Sequence, residues 1–245
     1  MPDGIVESTV AWPGDGHLVH GALIHPEDQE THPGMIVSPG AGGMNERDIE
    51  VGRRLARQGY AALVMDPFSS IPKGEMPEER VFQNLLPIFR ELDDRSYMIS
   101  MDNGFNYFAS LPMVCEDRIG VMGFCASWSI LYACLNPRVG ACVSFYNNMR
   151  YREMAKANRA VQPIDRIPNL WCPMIGHYGD NDSSTPMEYL KDLEELAKKH
   201  EKQVEVHVYP GRPHGFVESE MSENREDAEL AWARTFTFLD KHLKR

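Results

Sequence analysis

Long apolar runs are missing from these 245 residues. No stretch approaches the roughly 18 residues that a membrane-spanning helix requires. An excess of positive charge is missing too. Acidic residues number 36 against 25 basic ones, a formal net charge of −11, whereas nucleic-acid binders and proteins that dock on anionic membranes carry a basic face. Cysteine is sparse and unpaired in pattern. The five thiols fall at Cys115, Cys125, Cys134, Cys142 and Cys172 with no C-x-x-C, which excludes a disulfide framework and a zinc knuckle and leaves most of them as buried free thiols. The start, Met1-Pro2-Asp3-Gly4, has neither the basic nor the apolar region of a secretory signal. The expectation is a cytoplasmic chain with neither nucleic acid nor membrane as partner.

Apolar segments at strand length alternate with segments at helical spacing. That alternation predicts an α/β architecture, a mostly parallel sheet with helices on both faces, in one domain over 1–245 with no dividing linker. The opening segments, Ile5 to Trp12 and Leu18 to His25, are joined by Pro13-Gly14-Asp15-Gly16 and read as an antiparallel hairpin. Buried strands are predicted at Met35–Val37, Ala61–Met65, Ile119–Met122, Val139–Tyr146 and Met174–Tyr178, and a strand nearer the edge at Val204–Tyr209. Asn45 with Asp48 marks one helix start and Gly59 its stop. Thr185, Pro186 and Glu188 read as N-cap, first helical residue and capping-box partner of another. The last helix is expected from about Glu226 to Leu243. Phe68–Glu91 and Met149–Asn169 are Pro-broken and read as irregular excursions at the sheet's C-terminal edge, where open α/β sheets bind ligands.

The sharpest motif is Gly120-Val121-Met122-Gly123-Phe124-Cys125-Ala126-Ser127-Trp128. A buried strand runs into G-x-C-x-S and then into an apolar helical segment, the layout of a nucleophile elbow with cysteine as nucleophile. So tight a turn needs small neighbours. Gly123 meets that demand, and Ser127 stands where a second glycine is usual. A thiol at a helix N-terminus is favoured as thiolate, and the N–H of Ala126 is placed to face a developing oxyanion. On this layout an acid and then a histidine should follow in the chain. Asp182 follows the strand Met174–Tyr178, with Asp180 as the alternative acid. His214 lies in the loop Tyr209-Pro210-Gly211-Arg212-Pro213-His214, with His177, inside a strand, as the weaker alternative. His17, His20, His25 and His32 read as surface or structural groups, and no metal site is expected.

Together these segments resemble the dienelactone hydrolase family of the α/β-hydrolase fold over nearly the whole chain. The hairpin, the stretch Gly59–Asp66, the Gly123-Phe124-Cys125 elbow, the Gly176–Asp182 turn and the Tyr209–His214 loop carry the resemblance. It implies a Cys125–His214–Asp182 triad that cleaves a small ester or lactone through an acyl-enzyme without a cofactor. It also implies an oxyanion hole from the N–H groups of Ala126 and Ala41. The expected assembly is a monomer or homodimer.

Two positions depart from the dienelactone-cleaving members. Gly40 stands where they carry a glutamate, and Glu218 where they carry an arginine four residues beyond the histidine. A carboxylate there repels an anionic substrate, so a neutral or cationic ester is expected. Gly40, Arg80, Arg212, Phe216 and Glu218 are the candidate substrate-binding residues, with Arg80 or Arg212 as sources of compensating charge. The loop Gly40-Ala41-Gly42-Gly43 lacks the third glycine of a dinucleotide fingerprint, because Asn45 occupies that place. Two rival readings stand beside hydrolysis: a cyclising or lactone-forming use of the same site, and a ligand-binding or thiol-sensing protein that turns nothing over.

Overall fold

The computed structural model describes residues 4–151, 159, 161–218 and 222–244. Eight strands lie in the order β1-β2-β4-β3-β5-β6-β7-β8, the α/β-hydrolase arrangement with an antiparallel hairpin at its start. The chain packs as two compact units, 1–119 and 120–245, and the boundary falls inside a strand rather than in a linker.

In the first unit β1 (Ile5–Pro13) and β2 (Leu18–Pro26) pair antiparallel from Ile5↔Pro26 to Pro13↔Leu18. Their turn is closed by the Gly14 N–H on the His17 carbonyl at 2.7 Å. β3 (His32–Ser38) and β4 (Ala61–Met65) pair parallel, and every residue of both is buried. That is why they read as continuous apolar runs instead of alternating ones. α1 (Glu46–Arg57) starts at the predicted Asn45 cap, which the structure completes as a capping box: Asn45 accepts from the Arg47 N–H, and Asp48 accepts from the Asn45 N–H.

The segment read as irregular, Phe68–Glu91, ends in a helix, α2 (Phe82–Glu91), despite its internal Pro87. The next helix, α3 (Asp94–Ala109), is capped by Asp93 and buries Tyr97, Met101, Phe105 and Phe108 on one face. This spacing of four and three is a helical signal that the strand-centred reading passed over. α3 also ties down the hairpin, where the Trp12 indole N–H donates to the Ser100 carbonyl at 3.0 Å.

In the second unit the C-terminal half of β5 (Val114–Phe124), β6 (Cys142–Phe145), β7 (Met174–Gly179) and β8 (Val204–Tyr209) run parallel in that order, with β8 at the edge. α4 (Trp128–Leu135) is buried along nearly its whole length, as expected of a helix that is apolar all round. Met149–Asn169 falls partly outside the described residues and ends in a 3₁₀ helix at Pro163–Asn169.

α5 corrects the cap reading. It spans Met187–Lys199 with Pro186 as N-cap and no side-chain cap bond. Thr185 instead gives its hydroxyl to the Asn147 carbonyl at 3.3 Å, so the hydroxyl is drawn into a tertiary contact before it can cap. α6 begins four residues earlier than expected, at Ser222–Leu243. No helix among the described residues is long and apolar enough to cross a membrane.

Candidate active site

β5 delivers the nucleophile candidate. Its last residue, Phe124, is followed by Cys125 at φ +62°, a left-handed backbone that costs a non-glycine residue free energy and marks functional turns. The turn is closed by the Ala126 N–H on the Phe124 carbonyl at 2.6 Å and tied to β6 by the Cys125 N–H on the Phe145 carbonyl at 3.1 Å. Gly123 permits it, because a Cβ there would run into the Ser129 side chain of α4. Cys125 is half-exposed, whereas Cys134, Cys142 and Cys172 are buried with thiol pKa values raised by desolvation. Among these four thiols only Cys125 has access to a ligand.

The acid and the histidine come from the ends of β7 and β8. Asp182 is buried. Its Oδ1 accepts the N–H groups of Ser184 and Thr185 at 2.7 and 3.3 Å, and its Oδ2 lies 2.7 Å from His214 Nδ1. A carboxylate can only accept, so Nδ1 carries the proton and Nε2 is left for Cys125. Burial opposes the imidazolium. The hydrogen bonds to Asp182 and Cys125, and the charges of both, outweigh it and push the His214 pKa up to about 10. The edge of His214 also packs on the ring of Tyr146, centroids 4.9 Å apart.

The loop that presents His214 is anchored on several sides. Asp180 accepts the Gly211 N–H at 2.5 Å and so serves the turn rather than the histidine. Arg212 is taken up by Asp227 at 2.5 Å and Asn224 at 2.9 Å. Phe216 is wholly buried against Tyr209 and Tyr146. Glu218 is half-buried, in a turn closed by its N–H on the Gly215 carbonyl at 3.1 Å. His177 lies in the core between the Tyr209 hydroxyl at 2.9 Å and the Thr235 hydroxyl at 3.0 Å. Thr235 donates onward to the Ala231 carbonyl, so His177 holds its proton on Nε2. Desolvation, with His207 and Arg234 nearby, drives its pKa well down. The stability its neutral state contributes is therefore lost as pH falls below about 6.5.

The remaining candidates belong to the first unit. Ala41 is buried and Gly40 half-buried in the loop after β3. Arg80 is exposed, and its charge acts on Asp66, whose carboxyl is raised by burial and drawn back by the Phe68 N–H and by Arg80. Asp66, Leu92 and Tyr97 help line a concavity of about 210 Å³ in that unit.

The chain matches the family model of the dienelactone hydrolase family over residues 19–243. It belongs to that family. This family member is 30% identical over 232 residues, 94% of its own length and 91% of the other's, to a protein of a Bradyrhizobium species named as a probable 2-oxo-3-(5-oxofuran-2-ylidene)propanoate lactonase. It is 26% identical over 227 residues to a candidate carboxymethylenebutenolidase of Yersinia pestis, covering 90% of this chain and 83% of that one. Among solved structures, a candidate dienelactone hydrolase of Klebsiella pneumoniae superposes with a TM-score of 0.86 at 22% identity, over 97% of this chain and 99% of that one. Family membership makes the chain an ester or lactone hydrolase.

Asn147 and Asn148, after β6, were not singled out from sequence. The Asn148 N–H donates to the Cys125 carbonyl at 2.9 Å, the Asn147 amide donates to the Ala126 carbonyl, and Ser127 donates to the Asn148 carbonyl. An asparagine pair after a strand has the composition of any turn, so no local signal marked it.

Proposed function

We propose that the chain hydrolyses a small neutral ester or lactone through a thioester on Cys125. The thiolate adds to the carbonyl carbon, forming the S–C bond and an oxyanion. The Ala126 N–H shares itself between Phe124 and that oxyanion in a three-centre bond. The imidazolium of His214 gives its Nε2 proton to the departing alkoxide as the C–O bond breaks. In the second half His214 takes a proton from water, and the resulting hydroxide attacks the thioester. The acid is released and the thiolate restored. Asp182 keeps Nδ1 protonated and balances the charge on the ring.

The single observation that carries this reading is the 2.7 Å bond of Asp182 to His214 Nδ1, on a ring whose pKa Cys125 also raises. The preference for neutral substrates rests on Glu218 and Gly40 where the dienelactone-cleaving relatives carry arginine and glutamate.

The test is turnover of a panel of small aryl esters, thioesters and lactones in ¹⁸O-labelled water. Cys125→Ala is expected to abolish turnover, and Cys125→Ser to keep a residue of it, because a hydroxyl is the weaker nucleophile. Wild type should place one labelled oxygen in the acid product and show an acyl adduct on Cys125 by mass spectrometry. Full turnover in Cys125→Ala would end the nucleophile assignment. Turnover without label would favour cyclisation.

A further inference from the structure

We infer that Asn147 is a positioning residue for the oxyanion donor, holding the Ala126 peptide at the angle the transition state needs. This rests on the reading of Cys125 as nucleophile. The N–H of Ala126 lies in the Cys125–Ala126 peptide plane, whose carbonyl is held by the Asn148 N–H. The next plane, across the Ala126 Cα, is held through the Ala126 carbonyl by the Asn147 side-chain amide, so Asn147 fixes the backbone on which the donor plane turns. Asn147 is wholly buried and is itself held, its Oδ1 accepting from Ser129 Oγ at 3.4 Å. Its own carbonyl accepts the Thr185 hydroxyl at 3.3 Å, and the Thr185 N–H is bound to Asp182. One residue thus links the elbow to the loop that carries the acid. The residue before it, Tyr146, sits at φ +43° with its ring against His214. A backbone this strained beside a buried amide bonded at both its nitrogen and its oxygen is the mark of a fixed position rather than of a filler.

A donor aimed at an oxyanion matters to acyl transfer and not to alkylation, which needs only the thiolate. The test therefore measures two rates in Asn147→Ala and Ser129→Ala: kcat and KM for an aryl acetate, and alkylation of Cys125 by iodoacetamide. Thermal unfolding is followed in parallel. Asn147→Ala is expected to lower kcat by at least about tenfold, towards the hundredfold or more that follows loss of a whole oxyanion donor. KM and the alkylation rate should stay within about threefold. Ser129→Ala keeps the Asn147 donor and loosens its orientation, so a smaller loss with the same split is expected.

Equal losses of turnover and alkylation, or no loss of either, would overturn the inference. Should Asn147→Ala not fold, Ser129→Ala decides alone, and an unchanged kcat there overturns it. Cys125→Ala, run alongside, separates the two readings. If it is inactive while Asn147→Ala and Ser129→Ala turn over normally, only the positioning role falls. If it remains active, the nucleophile reading falls.

Discussion

His214 sits between opposed forces, and their balance sets a measurable limit on activity. Burial alone would make the ring neutral at physiological pH. The bonds to Asp182 and Cys125 reverse that and raise the pKa to about 10. A histidine whose folded pKa lies above its unfolded value of about 6.5 contributes stability that is complete below about 6.5 and lost as pH rises through 10. On the proposed mechanism the same proton is the one given to the leaving alkoxide. The alkaline limb of the pH profile of kcat/KM is therefore expected near 10. Asp182→Asn removes one of the raising partners, so its limb should move to lower pH and its kcat should fall. The pH–rate profiles of both enzymes check this, and a limb at the same pH in the two would separate Asp182 from the titration. Asp182 and His214 were legible from chain order and from their places after strands. The choice between Asp182 and Asp180 was not, because two acids in one turn differ only in what they touch.

At the scale of elements, the site depends on how closely loops lie on strand ends. The carbonyl of Arg212 packs where a side chain on Gly179 would have to be, so the His214 loop rests directly on the end of β7. Gly179→Ala must push that loop outward while leaving the sheet paired. A displacement of about 1 Å at a catalytic group costs about a hundredfold in rate, and a loss of that order in kcat is expected with far-ultraviolet circular dichroism unchanged. Wild-type activity would show that the loop relaxes without moving the imidazole. α5 teaches a related point. Its start has the letters of a capping box, yet Thr185 turns to Asn147 and the N–H groups of Ser184 and Thr185 turn to Asp182. The Thr185 hydroxyl and N–H that a capping box would use are taken by Asn147 and Asp182 instead.

For the molecule as a whole, charge is the property with a functional reading. The net charge of −11 places a negative field around any approaching anion, and Glu218 adds to it on the loop after His214. A neutral ester should outperform its carboxylate-bearing analogue in kcat/KM. Glu218→Arg should shift that ratio towards the anion by at least about tenfold, on the order of 1.4 kcal/mol. Raising the salt concentration should narrow the preference in wild type, since exposed charges are screened over about 10 Å at 0.1 M. A ratio that ignores both salt and the substitution would exclude Glu218 from substrate choice.

The strands in their chain order, the hairpin and the elbow were readable because they rest on local rules. Apolar runs of strand length must be buried, glycine must precede a turn as tight as that at Cys125, and Asn45 with Asp48 satisfies the free N–H groups of α1. Those rules act within a few residues and leave their mark in the letters. Tertiary structure alone decided which partner each polar group found. Arg212, a candidate for the substrate, went to Asp227 and Asn224. His177 became a neutral core residue, and Asn147 became the clamp on Ala126. Each of these choices is made between residues 12 or more positions apart, where a hydrogen bond lost to water must be replaced by whichever group the fold brings within about 3 Å. No local pattern carries that information.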